Sequence, residues 1–198
     1  MIVLVTAVRA MPRWARRFLV SLLVGWMGLA AALAALVFWP SAGAPHQTPS
    51  LPGLHLGATT PDFTLTDTHG AVVHLTALRG RRVLINFWSP TCPPCVTEMP
   101  LLERMWMEGR RQAGNGAAPA VLGVVGTADS RSTIAAFGRR VGARYPLLVD
   151  PVLRVSLLDY HVGVLPTSVV LDSRGRLVSV YFGAMTPAEM RIALGISS

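Results

Sequence analysis

Trp88-Ser89-Pro90-Thr91-Cys92-Pro93-Pro94-Cys95-Val96-Thr97-Glu98-Met99-Pro100 contains the only two cysteines of the 198-residue chain. Just upstream, Val83-Leu84-Ile85-Asn86-Phe87-Trp88 is a nearly continuous apolar run, as expected of a central strand covered on both faces. Asn86 is its one polar member and needs a buried partner or a cleft. Downstream, Val96, Met99, Leu102 and Met105 or Trp106 recur at helical spacing. The cysteines therefore stand at a strand-to-helix junction. Cys92 takes the cap position, Pro93 the first helical position, where proline is tolerated, and Cys95 lies one turn in. Pro100 falls inside the helix, removes one backbone donor and predicts a kink.

Further out, Phe63-Thr64-Leu65-Thr66 and Val72-Val73-His74-Leu75 alternate apolar with polar around Asp67-Thr68-His69-Gly70, a β-hairpin pattern. After a Gly-Ala-Asn loop at 112–119, residues 120–126 form a second buried strand. Asp129 or Ser130 can cap a helix with the stripe Ile134, Phe137 and Val141, closed by Gly142. Residues 146–149 read as a short strand and 151–158 as a short helix. Segments 168–172 and 176–182 make a hairpin around Ser173-Arg174-Gly175, and a last helix runs from its cap at Thr186 to Leu194. The order is βαβ followed by ββα on one mixed sheet flanked by helices, an α/β architecture with an added N-terminal hairpin.

Roughly half of the residues are apolar, enough for one domain with a real core and an additional segment. That segment is residues 18–39, 22 residues without a charge. At about 1.5 Å per residue it spans roughly 30 Å, the thickness of a bilayer's hydrocarbon core. Arg9, Arg13, Arg16 and Arg17 precede it and no basic residue follows until Arg79. This asymmetry predicts a cytoplasmic N-terminus (residues 1–17), a single-pass inner-membrane anchor and a catalytic domain in the periplasm or its equivalent. Length and the Pro45 after Ala42-Gly43-Ala44 favour an uncleaved anchor over a signal peptide. Met11 reads as an alternative start. Residues 40–56, rich in Pro, Gly, Ser and Ala, read as a tether, and 57–198 as the exported domain.

The formal net charge of +8 does not make this a nucleic-acid binder. All 18 basic residues are arginine, and four of them precede the apolar run. The remaining fourteen face ten acidic residues, leaving +4, with no arginine-aromatic stripe.

For an exported domain, two cysteines this close make a poor structural staple, because so small a loop constrains the unfolded chain little. Zinc would need further ligands, and His46, His55, His69 and His74 lack ligand spacing. A copper-delivery module using both thiols and His161 remains an alternative. A peroxidase is a weaker one: Pro61-Asp62-Phe63-Thr64-Leu65 is similar to a peroxiredoxin opening, but Thr91 is at neither cysteine's required spacing. Dithiol–disulfide exchange fits best, since a helix N-terminus stabilises a thiolate and a nearby second thiol resolves the mixed disulfide.

Taken together, Pro61-Asp62-Phe63, Asn86-Phe87-Trp88, Cys92-Pro93-Pro94-Cys95, Glu98-Met99-Pro100, Leu165-Pro166-Thr167 and Leu171-Asp172-Ser173-Arg174-Gly175 resemble the membrane-anchored TlpA/ResA/CcmG (DsbE) family of thiol–disulfide oxidoreductases. The resemblance covers about residues 57–195 and implies a thioredoxin-like fold. It implies that Cys92 attacks, Cys95 resolves, and Leu165-Pro166 is a cis bond facing them. Trp88, Thr91, Pro93, Pro94, Leu165 and Thr167 then form the substrate-binding set. It also implies no cofactor or metal beyond the redox-active Cys92–Cys95 pair. The partners implied are protein disulfides such as those of apocytochrome c, and a transmembrane thiol electron donor. Asn86 stands where thioredoxin carries a buried acid, and Glu98 is the family's alternative carboxylate, so both are expected to tune the thiols. Thr91 departs from the family, most of whose members have Trp there. A similar Ser-Pro-Thr-Cys-Pro run occurs in accessory proteins for amine dehydrogenase maturation.

Overall fold

The computed structural model describes residues 51–126 and 129–197, together with Pro12, Ser21, Leu22, Trp26 and Gly28. Ser21, Leu22, Trp26 and Gly28 are helical, but most of the apolar run 18–39 and of the tether lies outside the described residues. Among those described, no helix is long and apolar enough to cross a membrane.

The apolar run before the cysteines is strand β3 (Val83–Trp88), buried along its whole length. It pairs in parallel with β4 (Ala120–Val125) and antiparallel with β6 (Thr167–Leu171). Beyond β4, β5 (Leu147–Val149) extends the parallel set, and beyond β6, β7 (Leu177–Phe182) closes one edge. The N-terminal hairpin, β1 (Thr64–Asp67) and β2 (Val72–His74), adds to the other edge through β1 against β5. The sheet order is β2-β1-β5-β4-β3-β6-β7, the mixed sheet expected from the sequence.

Strand periodicity divides the core into two layers. Val83, Ile85 and Phe87 join Phe63, Leu75, Tyr160 and Val162 on one face. Leu84 and Trp88 face the other way, against three helices: α1 (Pro93–Ala113), α2 (Arg131–Val141) and α3 (Pro187–Leu194). Each helix begins where its sequence provides a cap. Ser130 accepts the Thr133 N–H, Thr186 and Glu189 form a reciprocal capping box, and Gly142 and Gly195 end α2 and α3 in the left-handed conformation. Pro100 is accommodated inside α1, which continues through it.

Two boundaries differ from expectation. Leu51 and Leu54, assigned to the tether, are buried in the first core layer, so the domain begins by Leu51 rather than at residue 57. The two leucines form a turn (Leu54 N–H to Leu51 O, 3.0 Å) whose apolar side covers the sheet. The short helix expected over 151–158 starts later, at Arg154, because a turn from Asp150 to Leu153 comes first and Leu153 takes a positive φ of 57°. It is a wide, π-type turn, with Tyr160 N–H bonded to Val155 O. Asp150, buried behind it, accepts from the Ser156 N–H (2.8 Å) and hydroxyl (2.6 Å) and holds the turn in place.

Candidate active site

Chain direction carries β3 straight into the site. At its end Ser89 and Thr91 form a small polar turn: their hydroxyls lie 2.9 Å apart and Ser89 Oγ accepts the Thr91 N–H. Cys92 follows as the cap of α1, with extended backbone (φ −96°, ψ 105°), and Pro93 is the first helical residue. Cys92 and Cys95 are joined by a disulfide, with Cα atoms 5.3 Å apart. Cys92 is half-buried and Cys95 is buried completely. The Cys95 backbone N–H donates to Cys92 Sγ at 3.3 Å. On reduction the same donor and the positive end of the helix dipole would stabilise a thiolate at Cys92. The pair is therefore asymmetric, with one sulfur at the mouth and the other behind it.

The cis bond at Leu165-Pro166 is present. Register explains its placement: β6 starts at Thr167, which pairs with Phe87, so the loop before β6 lies beside the end of β3 from which the cysteines emerge. The loop is tied at both ends. Thr167 Oγ1 donates to Val164 O at 2.6 Å, and Gly183 N–H donates to Pro166 O at 2.8 Å.

Of the residues expected to face substrate, Thr91, Pro93 and Pro94 are exposed to solvent at least in part and Leu165 is half-buried; Pro166 beside them is buried. Trp88 and Thr167 are corrections, because neither side chain lies on the surface. Trp88 is fully buried on the helical side of the sheet, its ring 5.2 Å from that of Phe137. Thr167 is equally buried, its hydroxyl used by Val164. Both support the site from beneath. Trp88 can lie flat there because its neighbourhood on β4 includes Gly123. A Cβ at Gly123 would sit 2.8 Å from Leu147 Cδ2, 3.0 Å from Trp88 Nε1 and 3.1 Å from Tyr145 Cε2. Gly123→Ala is expected to cost about 1–3 kcal/mol by overpacking, read from the urea midpoint.

Asn86 and Glu98, separate in sequence, meet. Alternation along β3 points Asn86 to the helical side, where its Nδ2 donates to Glu98 Oε2 (3.1 Å) and to Ser168 Oγ (3.0 Å). Glu98 Oε1 accepts the Met185 N–H at 2.8 Å. Glu98 is therefore no solvated helix carboxylate: only 1% of it is exposed. Burial, the largest influence, raises its pKa; the Met185 and Asn86 hydrogen bonds oppose this and Glu189 adds to it. A carboxyl whose folded pKa exceeds its unfolded one stabilises the fold at low pH, and that contribution is lost as pH rises through the folded value. As pH rises above the ordinary carboxylate range, wild type should lose Tm relative to the permanently neutral Glu98→Gln. Parallel Tm curves would contradict this.

Sequence reasoning missed Ser168 and Met185. Ser168 had a usable signal: it is the polar member of the otherwise apolar 168–171, as Asn86 is of β3, and the two are register partners. Met185 contributes a backbone group, which leaves no mark in sequence. His161 is exposed, and among the described residues no group of three His, Cys, Asp or Glu side chains is placed to hold a metal.

A Cys-x-x-Cys disulfide at a helix N-terminus, beside a cis-proline loop on a mixed sheet, defines the thioredoxin-like class of thiol–disulfide oxidoreductases. The chain belongs to the AhpC/TSA family, whose sequence model matches residues 56–180. It is 32% identical over 136 residues to the thiol-disulfide oxidoreductase ResA of Geobacillus thermodenitrificans, covering 69% of this chain and 74% of that protein. It is 29% identical to the thioredoxin-like protein YneN of Bacillus subtilis, covering 73% and 81% of the two chains. Among solved structures, it is similar to a secreted thiol-disulfide isomerase from Corynebacterium glutamicum. The TM-score is 0.62 with 26% identity, covering 78% of this chain and 98% of that one.

Proposed function

We propose that the chain is a membrane-tethered, extracytoplasmic reductant of protein disulfides, with apocytochrome c as client and a transmembrane thiol carrier as electron donor. The observation that carries this reading is the asymmetric sulfur pair: Cys92 half-buried at the helix cap, Cys95 fully buried one turn behind it. The likeness to ResA supports the chemistry, and the uncharged run 18–39 behind four arginines supports the tether.

In the reduced protein the Cys92 thiolate attacks a client disulfide. A Cys92–client mixed disulfide forms and one client sulfur leaves as a thiolate. Cys95 then attacks Cys92 Sγ, closing the intramolecular disulfide and releasing the second client thiol. Two electrons have passed to the client. Cys95 must lose its proton to attack, and Glu98, three residues on along the same buried helix face, is the base that takes it. Thr91, Pro93 and Pro94 provide the accessible rim for the client, and Leu165 provides backbone for strand-like pairing.

Cys95→Ser tests the assignment. The variant should accumulate a mixed disulfide through Cys92 that persists until added dithiol releases it, and mass spectrometry of the trapped species identifies the client. A trapped species lacking c-type apocytochromes would remove that client, and no trapping at all would remove the order of attack.

A further inference from the structure

The hydrogen bonds around Glu98 leave one buried atom over. Asn86 spends both amide hydrogens, one on Glu98 Oε2 and one on Ser168 Oγ, while its Oδ1 is buried with no hydrogen-bond partner. An asparagine amide carries two donors at one end and two lone pairs at the other, within nearly the same shape. A half-turn about its last torsion exchanges the ends without moving anything else. The present orientation, NH2 toward Glu98, suits a carboxylate, which can only accept. A protonated carboxyl must instead donate, and the turned amide offers it Oδ1 at the same place. Ser168 permits the turn because its hydroxyl accepts in one arrangement and donates in the other. Turned, Oδ1 accepts from both Glu98 and Ser168 while the NH2 takes the place where Oδ1 now has no partner, and Glu98 keeps the Met185 N–H in both arrangements.

We propose that Asn86 is a positioning residue whose amide turns by half a rotation as Glu98 gains or loses its proton, so that this buried carboxyl changes charge without losing a hydrogen bond. The inference rests on Glu98 being the base for Cys95. The other ionisable groups near Glu98 are Glu189 on α3, whose charge disfavours a second carboxylate, Tyr145 before β5 and, once the disulfide is reduced, Cys95 on α1. Burial pushes the Tyr145 hydroxyl well above its ordinary value. Asn86 thus gives a reason for an amide where an acid could stand: an ionised aspartate could only accept, and would repel an ionised Glu98.

The chain has two asparagines and four glutamates, so selective labelling isolates the site. In the full chain labelled with nitrogen-15 asparagine and carbon-13 glutamate, the Glu98 carboxyl is followed by NMR against pH. Asn115, exposed in its loop, is the control. Cross-peaks between the Asn86 NH2 and the Glu98 side chain should be strong where Glu98 is ionised and fade with the Glu98 midpoint as pH falls. In Glu98→Gln, whose own NH2 would hold Oδ1 in place, the Asn86 orientation should be fixed at every pH. Asn86→Ala should move the Glu98 midpoint upward by about tenfold in proton concentration, because the ionised form alone loses a donor it requires. Asn86 cross-peaks that persist while Glu98 titrates, the same change in Glu98→Gln, or an unmoved midpoint in Asn86→Ala would each overturn the inference. The reading of Glu98 as base is tested separately: thiol-exchange pH profiles identical in wild type and Glu98→Gln would defeat it even if the amide turns.

Discussion

Cys92→Ser is expected to bring catalysed reduction of a protein disulfide down to the background rate, a loss of more than about a thousandfold. A serine hydroxyl is hardly ionised near neutrality and cannot form the mixed disulfide, so both the nucleophile and the electron pair it shares with Cys95 disappear. The fold should survive. Serine is itself a preferred helix cap, and the disulfide it abolishes closes a loop of only three residues' separation. Tm should change by no more than a few degrees. Lost activity with a retained Tm separates chemistry from collapse, and a variant that still turns over would displace Cys92 from its role.

The second large effect concerns stability. Glu103, on α1, is buried and holds the segment between α2 and β5. Its Oε2 accepts the Arg144 N–H (2.8 Å) and the Tyr145 N–H (3.2 Å), and its Oε1 takes the Arg144 Nε–H at 2.9 Å. Glu103→Ala leaves the Arg144 and Tyr145 N–H groups without their acceptor and should cost about 3 kcal/mol in urea unfolding. Arg144→Ala is the control. Its side chain is mostly exposed, so removing it should cost less than about 1 kcal/mol, since both backbone bonds remain. Equal losses in the two variants would mean that the ion pair, not the backbone anchoring, holds the segment.

Much of the fold and part of the site are legible in the sequence, and what is not has physical causes. β3, the three helix caps and the C-terminal hairpin follow from local pattern, because each is written in adjacent residues. The position of Glu98 is half-legible. Its place on α1 is fixed by spacing from Cys95, but its burial depends on the segment around Met185 folding over it, some ninety residues later in the chain. Trp88 is misplaced by sequence reasoning because a residue beside a reactive cysteine can face either side of the sheet. Only the pairing of β3 with β4, which brings Gly123 alongside, shows that its ring is accommodated beneath. Leu51 and Leu54 escape because two leucines among prolines and glycines carry no periodicity. Trp88, Gly123 and Asn86 also show how the floor of the site is packed. The floor is a buried sheet whose polar side chains are met by partners, Asn86 by Glu98 and Ser168, and Thr167 by Val164 O.

Cys92 and Cys95 are expected to form one reversible two-electron couple. The direct measurement is equilibration of the full chain across a series of glutathione redox buffers, followed by acid quench, thiol alkylation and intact mass. Both thiols should be alkylated together, or neither. Their ratio should change tenfold for about every 30 mV, as a two-electron couple requires. Singly alkylated protein as the main species, or a ratio that does not respond to the buffer, would contradict it.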